Sequence, residues 1–193
     1  MMKFSVFTLL FLIGSICFSQ DKLEREHRIK KIQFPTEAQA FVGKNVKNAN
    51  RFRFYKTIDT AQTLYTVKFK KDKLKYYIDF NKNGTLKSIG FRIKEIDIPS
   101  ETFSKIKSYL STAYDKIKIR RMFQQYPMTV ESSENQVLKD AFQNMILPSN
   151  TYKLLTTSKQ SGKKLEQEMF FDAEGNLKSI RKTLPANYDR VLY

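Results

Sequence analysis

Four successive segments of the chain alternate between apolar and polar residues. RFRFYK at Arg51–Lys56 places Phe52 and Phe54 on one face and Arg51, Arg53 and Tyr55 on the other. LYTVKFK at Leu64–Lys70 aligns Tyr65, Val67 and Phe69; KLKYYIDF at Lys73–Phe80 aligns Leu74, Tyr76, Ile78 and Phe80. Lys87–Ile93 then aligns Ile89, Phe91 and Ile93. Period-two patterning of this kind predicts antiparallel strands covered on one side only. The cover is the helix expected just upstream. Pro35 suits its first turn, Glu37 complements its positive N-terminus, and Ala38, Phe41 and Val42 face inward.

The same order returns further along. IPSE at Ile98–Glu101 resembles FPTE at Phe34–Glu37, at an offset of 64 (98 − 34). FDAEGNLKSI at Phe171–Ile180 resembles FNKNGTLKSI at Phe80–Ile89, at an offset of 91 (171 − 80). The difference of 27 (91 − 64) predicts a duplicated unit whose second copy carries an insertion, near 124–150. In the second copy a helix over Pro99–Tyr114 would turn Phe103, Ile106, Leu110 and Ala113 inward. Strands are expected near Lys116–Phe123, Tyr152–Ser158, Lys164–Phe171 and Leu177–Lys182. Within the insertion, Ser133 and Gln136 make a capping-box pattern before an apolar stripe of Val137, Leu138, Ala141 and Met145. Phe142, Ile146 and Leu147 are expected to be buried there; left exposed, they would dock on a partner or on the other unit. The predicted fold class is α+β: two tandem units, each a helix packed on an antiparallel meander of about four strands. The divisions are 20–33, a charged N-terminal segment; 34–97, the first unit; and 98–193, the second.

DFNKNG at Asp79–Gly84 resembles the first half of a calcium loop. Asp79, Asn81 and Asn83 would occupy positions 1, 3 and 5, with Gly84 at 6. Position 12 requires a bidentate Glu and holds Gly90; in the second copy position 1 would be Phe170. A hairpin turn closed by glycine accounts for both copies, and no metal site is expected.

The chain carries Lys3 and an apolar run, Phe4–Phe18, with small residues Cys17 and Ser19 at −3 and −1 of a cleavage before Gln20. This is a secretory signal peptide over 1–19. A lipid attachment at Cys17 would need a small preceding residue, and Ile16 is bulky. Cleavage removes the only cysteine and one cation, taking the formal charge from +16 to about +15 (16 − 1). The mature chain is therefore expected to be exported, periplasmic or secreted, and held together by an aromatic-rich core rather than by disulfides.

Catalytic constellations are thin. His27 is the only histidine and lies in a charged stretch. No phosphate-cradling glycine motif occurs, and no cofactor is expected. Glu166 and Glu168 share a strand face, which reads first as the solvent side of a half-buried sheet and only remotely as a carboxylate hydrolase. The candidate binding residues are Arg51, Arg53, Tyr55, Lys68, Lys70, Lys73, Lys75, Tyr77 and Lys87, a basic, tyrosine-bearing face opposite the apolar stripes. Tyr and Arg are frequent interface anchors, while Lys on such a face also serves to block edge pairing.

The signal peptide, the P-[ST]-E helix starts, the F-[DN]-x-[NE]-G-x-L hairpins and the second copy together resemble the PepSY-like proteins of the β-lactamase-inhibitor-protein type. These are small exported proteins, mostly of Bacteroidetes, built of tandem α/β units. The likeness spans about Phe34–Leu184. It implies a non-enzymatic binding or inhibitory module with a protein or peptide partner, and it carries no catalytic residues. The alternative is adhesion to an anionic polymer or membrane surface through the basic face; the export signal argues against nucleic acid.

Overall fold

The computed structural model describes residues 25–58, 63–160 and 163–183. The expected signal peptide, residues 20–24 and the chain beyond Thr183 lie outside the described residues. The fold is α+β, as the patterning predicts. Among the described residues nine strands form one antiparallel sheet in the order of the chain: β1 (Arg25–Ile29), β2 (Ala49–Ile58), β3 (Thr63–Lys71), β4 (Leu74–Asn81), β5 (Leu86–Ile93), β6 (Ile117–Pro127), β7 (Thr151–Gln160), β8 (Lys163–Asp172) and β9 (Leu177–Thr183). Pairing of β5 with β6, from Ser88 opposite Pro127 to Ile93 opposite Met122, makes the sheet continuous between the two halves of the chain.

Among the described residues there are three α-helices: α1 (Thr36–Asn45), α2 (Ser100–Ala113) and α3 (Glu134–Phe142). Pro35 and Pro99 stand one residue before α1 and α2, at φ −55° and −51°. Their carbonyls accept the first helical bonds, from the N–H groups of Gln39 and Phe103. A 3₁₀ turn precedes each of these two helices, at Lys31–Gln33 and Glu95–Asp97. In the first the Gln33 side chain accepts from the Lys30 N–H (2.9 Å); in the second Asp97 accepts from Lys94 (2.7 Å).

All three helices pack on one side of the sheet. Phe34, just before α1, meets Phe54, Tyr65 and Phe80 edge-on. Tyr109 of α2 meets Phe171 of β8, and Phe142 of α3 meets Tyr76 of β4. The alternating stripes supply the rest of the core, with Val67, Ile78, Ile89, Leu154 and Met169 all fully buried. Two hairpins reach the helix starts. Gly84 and Gly175 adopt φ +86° and +87°, and an added Cβ would lie 3.0 Å from the Ala38 nitrogen and 2.6 Å from the Thr102 carbonyl oxygen. Glycine is required at both turns for its left-handed backbone and for the closeness of the helix.

Four expectations need correction. The charged segment 20–33 is in part structural: Arg25–Ile29 form edge strand β1, whose alternation is hidden because Ile29 is its sole aliphatic residue. Charged edge strands of this length resist further pairing. Strand β6 continues to Pro127, past Gln124, the expected start of the insertion. Helix α3 is capped by Ser133, whose hydroxyl accepts from the Gln136 N–H (3.2 Å), but the reciprocal half of the box is missing because the Gln136 amide bonds Asp140 instead (2.7 Å). Met145 falls outside α3 and is exposed; its carbonyl does the structural work, accepting from Gln124, Tyr126 and Asn150. Of the other apolar residues expected to be buried here, Phe142 and Leu147 are half-buried, while Ile146 is exposed.

Candidate functional site

The sheet face away from the helices is where the candidate residues collect, because they occupy the polar positions of strands whose alternate residues are in the core. Register places them in rows. Arg53 lies opposite Lys68, Lys68 opposite Tyr77, and Tyr77 opposite Gly90. The row continues through Gln125 to Thr151. A neighbouring row runs Tyr55, Thr66, Asp79, Ser88 and Pro127. Lys70 and Lys75 face each other nearer the β3–β4 turn.

Between the rows a polar ladder crosses the strands. Asp79 Oδ1 accepts from the Thr66 hydroxyl (2.7 Å), and Oδ2 accepts from the Ser88 hydroxyl (3.0 Å). The Gln125 amide donates to Ser88 Oγ (2.7 Å). Asp79 is thus engaged across the sheet, while Asn81 closes the turn by accepting from the N–H groups of Asn83 (2.9 Å) and Thr85 (3.0 Å). Asp79 and Asn81, two of the three residues that resembled calcium ligands, thus serve separate structural roles. No group of three or more metal-ligating side chains occurs among the described residues.

Tyr77 is the centre of the face. It is the one large buried apolar side chain, among the described residues, that stands outside the helix-side core. Its ring lies over Gly90, where a Cβ would come within 2.4 Å of Cζ. Phe123 meets the ring edge-on at 5.6 Å. The Lys153 ammonium sits 4.2 Å from the Tyr77 ring centre and 5.3 Å from that of Phe123, a cation–π arrangement. The Tyr77 hydroxyl is buried without a hydrogen-bond partner. Burial pushes its pKa well above the ordinary tyrosine value, an effect that neighbouring Lys153 offsets only in part. Burial also works against the Lys153 ammonium, but Tyr77, Glu168, Asp79 and Glu26 more than offset it and hold the amine protonated. Towards β1, Lys68 pairs with Glu26 (2.6 Å) and lies 4.2 Å from the Tyr55 ring centre.

The structure brings together most of the expected residues. Arg53, Tyr55, Lys68, Lys70, Lys75 and Tyr77 share the open face. Arg51 does not continue the row. It sits in a β2 bulge between Asn50 and Arg53 with φ +58°, and Phe52 beside it stacks on Phe69 at 5.5 Å. Lys73 occupies the β3–β4 turn, and Lys87 lies where the β4–β5 register shifts, between Ser88 opposite Asp79 and Leu86 opposite Phe80. Tyr77, expected as a surface anchor, is only 4% exposed. Sequence reasoning missed Phe123, Gln125 and Lys153, which join the face only once β6 pairs with β5 and β7 with β6. One signal was available. Gly90, inside a strand pattern, marks a close approach by a neighbouring group. Glu166 and Glu168 line the outer part of the same face, opposite Thr157 and Leu155; Glu166 bonds Lys164 (2.9 Å).

No protein-family model and no curated sequence matches the chain. Solved structures similar to it include a BLIP-like protein from Bacteroides fragilis, 11% identical, covering 79% of this chain and 89% of that one at a TM-score of 0.47. A DUF2874 family protein from Bacteroides ovatus is 12% identical over 77% of this chain and 87% of that one, at 0.48. A Bacteroides eggerthii protein described as periplasmic is 9% identical over 77% and 88%, at 0.49.

Proposed function

We propose that this chain is an exported, non-enzymatic binding protein of the β-lactamase-inhibitor-protein-like kind, presenting the open face of its sheet to a protein or peptide partner in the periplasm or outside the cell. The observation that carries this reading is the pre-ordered centre of that face. Tyr77, Phe123 and Lys153 are locked against one another, and Asp79, Thr66, Ser88 and Gln125 are engaged in a ladder beside them. A face whose side chains are already fixed loses little conformational entropy when a partner lands on it. The same engagement supports a non-catalytic role. The central carboxylate is held by two hydroxyls across a sheet, rather than set against a nucleophile. Aromatic rings with flanking cations, Tyr55 with Lys68 and Phe123 with Lys153, are the residue types that anchor interfaces. The apolar run Phe4–Phe18 supports export.

The domain reading belongs to this proposal. Residues 34–97 and 98–193 are taken as two copies of one unit, the second bearing the insertion. The matched 3₁₀ turns at Gln33 and Asp97 support it, as do the matched hairpins at Gly84 and Gly175.

The test is capture from a periplasmic extract by the mature chain, with each bound protein then measured against purified variants. Tyr55→Ala, Phe123→Ala and Lys153→Ala should each weaken the same partner about tenfold or more, as truncated anchors do. Ile96→Ala and Ile146→Ala, on exposed helix-side residues, should not. Affinity unchanged by the three open-face variants would refute the proposal.

A further inference from the structure

Three cations converge on one cleft at the end of the sheet where β2 bulges beside the β3–β4 turn. The cleft, about 430 Å³, is lined by Asn48, Asn50, Arg51, Lys70, Asp72 and Lys73. Asp72, the only acid of the lining, has its charge engaged by Lys71 (3.0 Å). Arg51, Lys70 and Lys73 have no ion-pair partner among the described residues. Lys75, opposite Lys70 in the ladder, adds to the positive potential. Like charges gathered without a counter-charge repel, and a concave wall strengthens their field. The two asparagine amides supply neutral donors beside them.

The backbone also brings the cations together. Asp72 and Lys73, at φ +47° and +66°, form the two-residue turn that tightly joined strands favour. Arg51 has no such excuse. It holds φ +58° in a strand bulge, a region that Asn or Gly enters at lower cost. The bulge directs the chain at Arg51 towards the Lys70–Lys73 corner.

We infer that this cleft is a binding site for a tetrahedral oxyanion, a phosphate monoester or sulfate ester carried at the end of a ligand. A carboxylate offers two acceptor oxygens to three cations. A phosphate monoester or sulfate ester presents three terminal oxygens, one for each cation, and the phosphate monoester also carries close to two charges; Arg recognises such a group through paired donors while Lys acts as a point charge. The site does not depend on the partner reading above, since it uses none of Tyr55, Phe123 and Lys153.

The test titrates the mature chain with three probes: inorganic phosphate, a sulfated disaccharide, and phosphatidylcholine vesicles with and without phosphatidic acid. Calorimetry gives affinity and amide shifts give location. Saturable binding by at least one probe is expected, with the largest shifts at Arg51, Lys70 and Lys73. Which probe binds best separates a free phosphate, a sulfated glycan and a lipid headgroup as the source. The combined variant Arg51→Asn, Lys70→Gln, Lys73→Asn places asparagine at both left-handed positions, so the backbone is retained. It should weaken binding about tenfold or more, as lost charge-assisted contacts do. The control Lys94→Gln, Lys116→Gln, Lys118→Gln removes the same number of exposed cations elsewhere and should change affinity much less. No saturable binding of any probe overturns the inference. So does equal weakening by the two variants, which would mean general charge attraction.

Discussion

Asn81 and Asp172 do the same job at the two hairpins with different chemistry. Each offers one side-chain oxygen to two backbone N–H groups: Asn81 to Asn83 and Thr85, Asp172 to Glu174 (3.0 Å) and Asn176 (2.8 Å). An amide oxygen and a carboxylate oxygen are equivalent acceptors for this purpose. Truncation to alanine leaves two donors without their acceptor, so Asn81→Ala and Asp172→Ala should each cost about 1–2 kcal/mol in urea unfolding. Asp172→Asn should cost much less near neutral pH. The two differ when acid is added. Burial opposes ionisation of Asp172, but the bonds from Asn176 and Glu174 win and hold its carboxyl below the ordinary value of 3.8. A carboxyl depressed in the folded state contributes stability that is present above the unfolded pKa and is lost as pH falls through the folded one. The wild-type chain should therefore lose stability below about pH 4, and Asp172→Asn should lose less over that interval. Identical acid slopes for the two proteins would show that the Asp172 charge contributes nothing to the turn.

At the scale of elements, what could be read from the chain follows burial. Strands β2–β8 were legible because one face of each packs towards the core, which alternation reports directly, and β9 because its LKSI repeats Leu86–Ile89. Strand β1 was not, since only Ile29 contributes to the core from it. The bulge at Arg51 was equally silent: alternation of Phe52 and Phe54 looks regular although the register shifts between Asn50 and Arg53. The candidate site was legible as a set of polar positions on four strands. Its centre was not, because Tyr77 is buried by residues from β5, β6 and β7, and the contact depends on register. That centre can be tested through Gly90. A methyl there would stand 2.4 Å from Tyr77 Cζ, and the ring is the far end of a flexible side chain on an open face. Gly90→Ala should therefore keep the sheet and turn the ring outward, away from Phe123 and Lys153. Expected readouts are an intact β-sheet circular dichroism spectrum, loss of the Tyr77–Phe123 nuclear Overhauser contact, and a Tyr77 that titrates nearer an ordinary tyrosine. A Tyr77–Phe123 contact preserved in the variant would contradict the packing described.

For the molecule as a whole, the tyrosines tie stability to alkaline pH. Tyr76, under α3, is pushed up from 10.0 to about 12, mainly by burial and then by the Asp72 charge. Tyr77 on the open face and Tyr126 on the helix side are driven higher still, burial again being the main cause. Tyr126 also donates to the Met145 carbonyl (2.8 Å), a bond that the phenolate would lose. These three groups sit on β4 and β6, on both faces of the sheet and on either side of the junction strand β5. A phenol whose folded pKa lies above its unfolded value adds stability that is complete below the unfolded value and vanishes as pH rises through the folded one. Stability should thus be level up to about pH 9, fall beyond about 10, and reach its lowest point past about 12. Because β5 pairs both halves, ionisation in either one should loosen the shared sheet. The loss should then be a single cooperative transition rather than two. Urea midpoints across this range, with tyrosinate absorbance followed in parallel, provide the measurement. A subset of tyrosines should ionise late and together with loss of sheet structure. Ionisation of all the tyrosines near their ordinary pKa with the sheet intact would disprove the burial of this group, and two separate sheet transitions would disprove the coupling through β5.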